Sequence, residues 1–498
     1  MLFNSHIFIF IFLPVVWLGY NYFKSADRQE SGIIFLVFSS LVFYGYWNAY
    51  YLLLIGCSIV ANYGMGLLIE RQTRYKRAWL FIGVAANLTL LAYYKYLGFF
   101  VLNYNYFAET PMALESIVLP LAISFFTFQQ ITYLVDSAKG LTSEHSFWHY
   151  CLYVTFFPQL IAGPIVHHKE MLPQFTRRQP RAIQYSDLAI GISIFAMGLF
   201  KKVMVADNLA PYAGDVFSHA EAGLPLSAYD AWVGALAYTF QLYFDFSGYA
   251  DMAIGIARMF SIRLPLNFNS PYKANNIIDF WRRWHMTLSR FLRDYLYIPL
   301  GGSRKGRVRR LINLFVTMLL GGLWHGAGWT FVVWGCLHGI YLMINHGWRS
   351  LVSANDTEGK GRSESRVKQC LLAALSRVLT MLAVVIAWVF FRAADINSAV
   401  EIVMAMLGFS GNASEIFEVS KSLPAIVLLF LWVWLFPNAQ DLMKKYRPAY
   451  GFDSKRSASS MVTLLWRPTL KWFFVVMLML IIAILNLTQL SEFIYFQF

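Results

Sequence analysis

The sequence predicts an all-α protein that crosses a membrane many times and forms one domain over residues 1–498. Hydrophobic residues make up 58% of the chain and charged residues only 14%, against about 25% charged residues in soluble domains. The apolar stretches are long runs and not short alternations of apolar and polar residues, which favours a polytopic helical bundle over a β-barrel. We expect about 10–12 membrane segments, some of them re-entrant.

The charge pattern indicates how the chain is oriented. The net charge is +14, and the basic residues fall in loops, as the positive-inside rule requires of a membrane protein, so nucleic acid is not needed to explain the charge. A basic loop at residues 70–77 and a flexible linker at residues 349–368 are predicted to be cytoplasmic. This assignment places both termini outside.

The first third of the chain holds the most regular apolar runs. Residues 6–23 have no small-residue cleavage site after them and are predicted to be a retained span. Residues 32–69 are long enough for two spans with a turn near Trp47 and Asn48. Residues 78–102 then cross outward and residues 117–135 return.

The next segment is less regular. Residues 147–165 are apolar but contain Pro158 and Gly163-Pro164, which predicts a re-entrant or interfacial segment. The His167-His168 pair that follows is predicted to lie in a solvated loop without a third metal ligand. The remaining spans are predicted at residues 185–206, 228–257, 371–391, 423–436 and 472–487. Residues 311–346 are glycine-broken in the middle and basic at both flanks, so they are predicted to enter the membrane and return.

Residues 275–346 form the core motif region. Its first half is predicted to be one helix that Asn276 caps, that has Asp279 in its first turn and that runs to Tyr297. An interfacial helix with an aromatic belt and snorkelling arginines explains its aromatic residues and most of its arginines. That explanation does not require His285, which is therefore a candidate functional residue.

His325 lies among four glycines between Gly321 and Gly328. Glycines weaken a helix, and broken backbone at membrane depth is tolerated only where it is buried or lines a cavity. A histidine there can exchange a proton near neutral pH; the alternative is a core histidine with satisfied hydrogen bonds. Trp324 and His338 are candidates for the same cavity, although His338 could instead bond a backbone carbonyl.

Two acidic residues lie in the apolar segment 228–257. Asp245 and Asp251 are either cavity-facing acids or partners of Lys or Arg, and half-buried ion pairs are the simpler interpretation. The sequence has no P-loop, no GxSxG and no HExxH motif, and its four cysteines are scattered without CxxC spacing. We therefore predict no metal site.

The core motifs also carry a resemblance. RRWHMTLSRFLRDYLYIPLGGSR, followed by GGLWHGAGWTFVVWGCLHG, closely resembles the membrane-bound O-acyltransferase family, and its bacterial alginate and polysaccharide O-acetylase branch fits best. The N-terminal MLFNSHIFIFIFLP, residues 156–164 and the C-terminal FIYFQF match as well, so the resemblance covers essentially the whole chain. It implies a helical funnel with the active centre inside the membrane. It also implies that His325 is the catalytic histidine and that His285 matches the second polar position.

The resemblance implies acyl transfer in a bacterial inner membrane with both termini periplasmic. An acetyl group would pass from a cytoplasmic acetyl-CoA-like donor toward hydroxyls of an extracytoplasmic polysaccharide such as alginate, directly or through a periplasmic acetyltransferase partner. His325 would act as general base and His285 would orient or polarise. The basic helix and loop suit a phosphorylated donor, and the candidate donor contacts are Arg282, Arg283, Arg304 and Arg307.

Other interpretations stay open at this stage. Peptidoglycan, cellulose or another exopolysaccharide could be the acceptor. A transporter or channel for an acidic solute would explain the intramembrane histidines and the basic vestibule equally well, but it does not predict the paired motifs. A third interpretation is that the protein is a scaffold subunit of a polysaccharide synthase and that its histidines are structural.

Overall fold

The computed structural model describes residues 1–72, 74–114, 117–142, 146–177, 180–356, 366–409, 416–452, 462, 464–487 and 494. Within these ranges the chain is helical and forms no strand, apart from one isolated bridge between Pro265 and Tyr450. The all-α membrane fold predicted from the sequence is confirmed. Five continuous helices in the described part are long and apolar enough to cross a bilayer: Phe8–Ser25, Tyr50–Arg71, Lys76–Phe107, Tyr185–Glu221 and Cys370–Arg392.

The N-terminal helices follow the predicted spans closely. The turn between residues 45 and 50 falls at the predicted Trp47 and Asn48, whereas the helix predicted from residue 117 begins only at Ile123. A π-helical turn, Ala92–Tyr96, lies within the long helical segment Lys76–Phe107. The helices are α1 (Leu13–Ser25), α2 (Gln29–Gly45), α3 (Tyr50–Arg71), α4 (Lys76–Leu91), α5 (Leu97–Phe107) and α6 (Ile123–Ala138).

The middle of the chain contains the predicted interruption. Two short helices replace a span at residues 147–165, and neither approaches the roughly 20 residues that a crossing needs. A π-helical turn, Lys201–Ala206, joins the helices on either side of it, so the helical segment continues beyond the span predicted to end at residue 206. The helices are α7 (Phe147–Thr155), α8 (Phe157–Leu160), α9 (His168–Thr176), α10 (Tyr185–Phe200), α11 (Asp207–Glu221) and α12 (Ala228–Met259).

Helix α12 is the central helix of the bundle. It packs against α10, α11, α17 (Arg366–Arg392) and α18 (Ile396–Met406), and nearly all of its side chains are buried. The Ser227 hydroxyl caps it by accepting from the Asp230 N–H at 3.0 Å. A Cβ on Gly198 of α10 would lie 2.6 Å from the Gly248 carbonyl oxygen, so glycine lets the two helices approach closely.

The core motif region differs from the sequence prediction. The single helix predicted from Asn276 to Tyr297 is wrong, because the chain leaves the helix between Trp281 and Met286 and His285 adopts a left-handed conformation with φ of 40°. Asn276 does cap the first piece. The helices are α13 (Ile277–Trp281), α14 (Met286–Leu292), a π-helical turn (Arg293–Tyr297), α15 (Arg307–His325) and α16 (Trp329–Asp356).

The break has a local cause. The Met286 N–H donates to the Asn267 carbonyl oxygen at 2.9 Å, and the Asn269 N–H donates to the Arg283 carbonyl oxygen at 2.9 Å. These bonds to an extended segment replace the hydrogen bonds that a continuous helix would have made.

The C-terminal third completes the bundle. Helix α16 continues to Asp356 and α17 begins at Arg366, so both ends of the linker predicted at residues 349–368 are helical, and residues 357–365 lie outside the described residues. Helix α18 was not predicted. The last helices are α19 (Val419–Leu435), α20 (Ala439–Leu442) and α21 (Leu470–Leu485).

Candidate active site

His325 is the last residue of α15, at the tip of a helical hairpin. Gly326 takes an extended conformation with φ of −159°, and the chain enters α16 at Trp329, so the predicted glycine break lies after His325. Gly322 stays helical; a Cβ there would lie 3.0 Å from the Gly335 Cα of α16. The glycines therefore have two roles: Gly326 follows the end of α15, and Gly322 allows α15 and α16 to pack closely.

Aromatic rings enclose His325. Its imidazole centroid lies 4.9 Å from Trp324, 5.0 Å from Trp334 and 5.2 Å from Phe391. The residue is only 6% exposed. Such an environment excludes water and strengthens each polar interaction made inside it.

His285 lies in the break between α13 and α14 and is completely buried. Its Nδ1 lies 3.1 Å from Asn267 Oδ1, which also accepts from the Thr287 N–H at 3.3 Å and the Thr287 hydroxyl at 2.8 Å. A backbone N–H can only donate, so this Asn267 atom is the oxygen and His285 Nδ1 must carry the proton. Neutral His285 therefore presents Nε2 as an acceptor, and Nε2 has no partner among the described residues.

His338 has the opposite tautomer. The Trp281 indole N–H donates to His338 Nδ1 at 3.3 Å, and an indole N–H cannot accept. Neutral His338 therefore carries its proton on Nε2, a buried donor that has no partner in the described part of the chain. The partner that the structure gives His338 is an indole and not the backbone carbonyl considered from the sequence.

Two tryptophans join the three histidines into one centre. Trp324 lies 6.5 Å from His285 and 4.9 Å from His325 between ring centroids. Trp334 lies 5.0 Å from His325 and 4.8 Å from His338. The structure thus brings together four of the residues that the sequence singled out, Trp324 and His325 from α15, His338 from α16 and His285 from the helix break.

Asp245 is held in an ion pair. Its Oδ1 lies 2.6 Å from Lys202 Nζ, and Lys201 Nζ lies 2.6 Å from Asp251 Oδ2. The predicted ion pairs are confirmed, but the prediction that they are half-buried is wrong, since both acids are buried. The next residue, Phe246, contacts the His285 ring at 4.9 Å, so Asp245 lies near the centre without any described contact to its histidines.

The side chains of the candidate donor arginines make no described contact with the three histidines. Arg282, Arg304 and Arg307 are exposed, whereas Arg283 Nε donates to Asp279 Oδ1 at 2.9 Å. Arg307 begins α15 and His325 ends it, which separates them by about 28 Å along a helix axis with a rise of 1.5 Å per residue. A ligand bound at the basic loop can reach the histidines only with a long arm.

The sequence predicted that the tandem histidines after the interrupted segment lie in a solvated loop. This prediction is wrong. His168 is buried, with Nδ1 3.3 Å from Asp136 Oδ2. His167 stacks on Tyr295 with ring centroids 5.6 Å apart. Burial and the nearby Arg290 guanidinium lower the pKa of His167 to about 4, so this residue is neutral at ordinary pH.

Sequence reasoning missed two residues that touch the centre. Asn267 belongs to no motif, and its role depends on a fold-specific contact. Lys95 Nζ donates to the Trp324 carbonyl oxygen at 2.6 Å and to the His325 carbonyl oxygen at 3.1 Å. Lys95 is the one Lys, Arg, Asp or Glu within residues 78–102. A single charged residue in an apolar span is a candidate functional residue, and this signal would have identified Lys95 from the sequence.

Comparison with known proteins identifies the family. The model for MBOAT, the membrane-bound O-acyltransferase family, matches residues 73–384, which include both histidine motifs. The chain belongs to this family. It is therefore an acyltransferase of the multi-pass membrane type, and the predicted enzyme class is confirmed.

Individual relatives refine the placement. A peptidoglycan O-acetyltransferase of Helicobacter pylori is 45% identical over 82% of this chain and 80% of its own length. A probable alginate O-acetylase AlgI of Pseudomonas putida is 37% identical over the full length of both chains. A teichoic acid D-alanyltransferase of Bacillus subtilis is 30% identical over 45% of this chain and 58% of its own.

Proposed function

We propose that this chain moves an acetyl group from a cytoplasmic thioester donor toward hydroxyls of an extracytoplasmic polysaccharide. The observation that carries the proposal is the buried centre of three histidines, inside a family of O-acyltransferases. A thioester and a sugar hydroxyl react only when the hydroxyl loses its proton as it attacks, and a histidine is the side chain best suited to take that proton near neutral pH.

We assign one step of the transfer to each histidine of this centre. The acceptor hydroxyl attacks the thioester carbonyl carbon while His325 takes its proton. Collapse of the tetrahedral intermediate breaks the carbon–sulfur bond, and the proton on His325 passes to the leaving thiolate. His285 Nε2 would accept a hydrogen bond from a second donor on the substrate, such as a neighbouring sugar hydroxyl, and so orient it, whereas His338 Nε2–H is a donor suited to the developing oxyanion.

The length of α15 constrains the donor. The exposed arginines at its start suit phosphate groups because guanidinium groups bind phosphate bidentately. The helix is 19 residues long, which gives about 28 Å between this cluster and His325. The donor that fits is an acetyl-CoA-like thioester with phosphates at one end of a long arm and the acetyl group at the other.

The acceptor would approach from the opposite side. A cavity of about 440 Å³ lies beside α5, and Tyr94, Lys95 and Asn105 line it together with Met112, Leu114 and Ile117. The charge pattern predicts that residues 78–102 cross outward and that both termini are periplasmic, so in the proposed inner-membrane topology this cavity faces the periplasm. The cavity is also where a periplasmic acetyltransferase partner could receive the group for transfer to the polymer.

The relatives favour two acceptors. Several probable alginate O-acetylases match most of the chain, which supports alginate or a similar secreted polysaccharide. The more similar peptidoglycan O-acetyltransferase makes peptidoglycan the second candidate. Ester-linked acetate, released by mild alkali separately from secreted polymer and from purified cell wall, distinguishes the two.

The decisive test is His325→Ala in a strain that lacks the native protein. We expect ester-linked acetate to fall by at least about a hundredfold, since general base catalysis contributes 10²–10⁴-fold, while the protein still accumulates in the membrane. His219→Ala is the matched control, because His219 is partly exposed and the described contact of its Nδ1 is with a backbone carbonyl, that of Asp215, at 2.8 Å. Near-normal acetate in the His325 variant would refute the assignment.

A further inference from the structure

The last turn of α15 depends on another helix. The final four carbonyl groups of a helix have no intrahelical N–H partners and must find others. In α15 the Gly322 carbonyl accepts weakly from the Gly326 N–H at 3.4 Å. The carbonyls of Leu323, Trp324 and His325 are satisfied from outside the helix.

The donors come from the π-helical turn between α4 and α5. The Tyr96 hydroxyl donates to the Leu323 carbonyl at 2.8 Å. Lys95 Nζ donates to the Trp324 and His325 carbonyls at 2.6 and 3.1 Å, and its third contact is Ser124 Oγ at 3.4 Å. Two adjacent residues thus cap the three carbonyls that end at the catalytic histidine.

The π-helical turn accounts for this pairing. A π-helical turn carries one more residue than an α-helical turn and is frequent at functional sites. Here it presents the consecutive residues Lys95 and Tyr96 to the same helix end. A cation there also interacts favourably with the partial negative charge at the end of the α15 dipole, and all three Lys95 donors are directed to protein oxygens.

We propose that Lys95 and Tyr96 are positioning residues that fix the last turn of α15 and thereby the orientation of the His325 ring. The inference rests on the proposed role of His325. Neither residue needs to touch the substrate. Because His325 is followed by Gly326 and a non-helical connection, nothing C-terminal to it in the helix holds its backbone, and the cap does so instead.

The capping contacts can be separated by substitution. Lys95→Met keeps the length of the side chain and removes its donors, whereas Lys95→Arg keeps charge and donors. Tyr96→Phe removes one cap, and Tyr93→Phe on the same π-helical turn is its matched control, because Tyr93 is exposed and makes a described contact only with the Tyr94 ring.

The kinetic readout is turnover per folded enzyme in membranes supplied with acetyl-CoA. We expect Lys95→Met to lower kcat about 10- to 100-fold, since a misplacement of about 1 Å can cost a hundredfold, with KM for acetyl-CoA unchanged. Tyr96→Phe should lower kcat by less than Lys95→Met does, and Lys95→Arg should keep kcat closer to the wild-type value. Tyr93→Phe should have the wild-type kcat. A Lys95→Met enzyme that is less stable but has normal kcat per folded molecule would overturn the inference.

A second readout does not depend on acetylation. Diethylpyrocarbonate modifies accessible histidine rings, and mass spectrometry of the purified protein locates the modification. We expect Lys95→Met to raise modification of His325 severalfold over wild type while leaving His219 unchanged. Unchanged His325 modification together with normal kcat would reject the cap. If His325→Ala alone leaves acetylation intact, the proposed function fails, yet the modification experiment still decides whether Lys95 holds the helix end.

Discussion

Two regions of this protein bury ionisable side chains, and they leave them in different states. Where the π-helical turn after α10 crosses α12, Lys201 lies 2.6 Å from Asp251 and Lys202 lies 2.6 Å from Asp245 and 2.8 Å from Asp207. At the end of α15, His285 and His338 each use one ring nitrogen and leave Nε2 without a partner among the described residues.

The contrast separates structural from chemical use of a buried polar group. A charge removed from water must be paired, since an uncompensated buried charge costs several kcal/mol. A neutral histidine can be buried with one nitrogen unused at a smaller cost. The ionic crossing therefore holds two helices together, while the histidine centre keeps one acceptor and one donor available for a substrate.

The largest expected effect tests the ionic crossing. Lys201→Met should destabilise the protein by about 3–5 kcal/mol, because Asp251 would stay buried without its cation. The folded fraction, measured by fluorescence-detected size exclusion, should fall, with normal turnover in the molecules that remain. Lys201→Met combined with Asp251→Met should recover most of the stability. A single variant as stable as the wild type would remove the structural role.

The second effect tests the tautomer of His285. Asn267→Ala removes the oxygen that holds the proton on Nδ1, so Nε2 is no longer fixed as an acceptor. We expect turnover per folded enzyme to fall about 10- to 100-fold, with a smaller loss of stability than in Lys201→Met. Thr287→Ser keeps the hydroxyl on the same oxygen and is the control. Equal turnover in both variants would show that the tautomer is immaterial.

The smallest effect tests the basic loop, which lies outside both regions. Replacing Arg304, Arg307, Arg309 and Arg310 by Lys keeps the charge, and with it the topology, but removes bidentate contacts to phosphate. The loss should be about 1 kcal/mol, so KM for acetyl-CoA should rise about fivefold while kcat stays the same. An unchanged KM would leave the cluster with a purely topological role.

The sequence predicted more of the helices than of their interruptions. Long apolar runs identified α3, α12 and α17 closely, because burial in lipid or protein imposes composition over many residues. The break before His285 was missed, since it results from hydrogen bonds to residues 267–269 that lie far from any helix signal. The solvated loop predicted around His168 was wrong for a similar reason, as its partner Asp136 belongs to another helix.

The sequence by itself determined the fold class, the enzyme family, and His325 and His285 as candidate site residues, because the motifs and their composition are local and specific. The tertiary structure decided which nitrogen of each histidine is available, that Asp245 pairs with Lys202, and that Lys95 and Tyr96 hold the end of α15. These properties depend on hydrogen bonds between segments distant in the chain. A backbone carbonyl or a ring nitrogen acquires its partner only when the helices pack, and no local pattern of residues encodes that geometry.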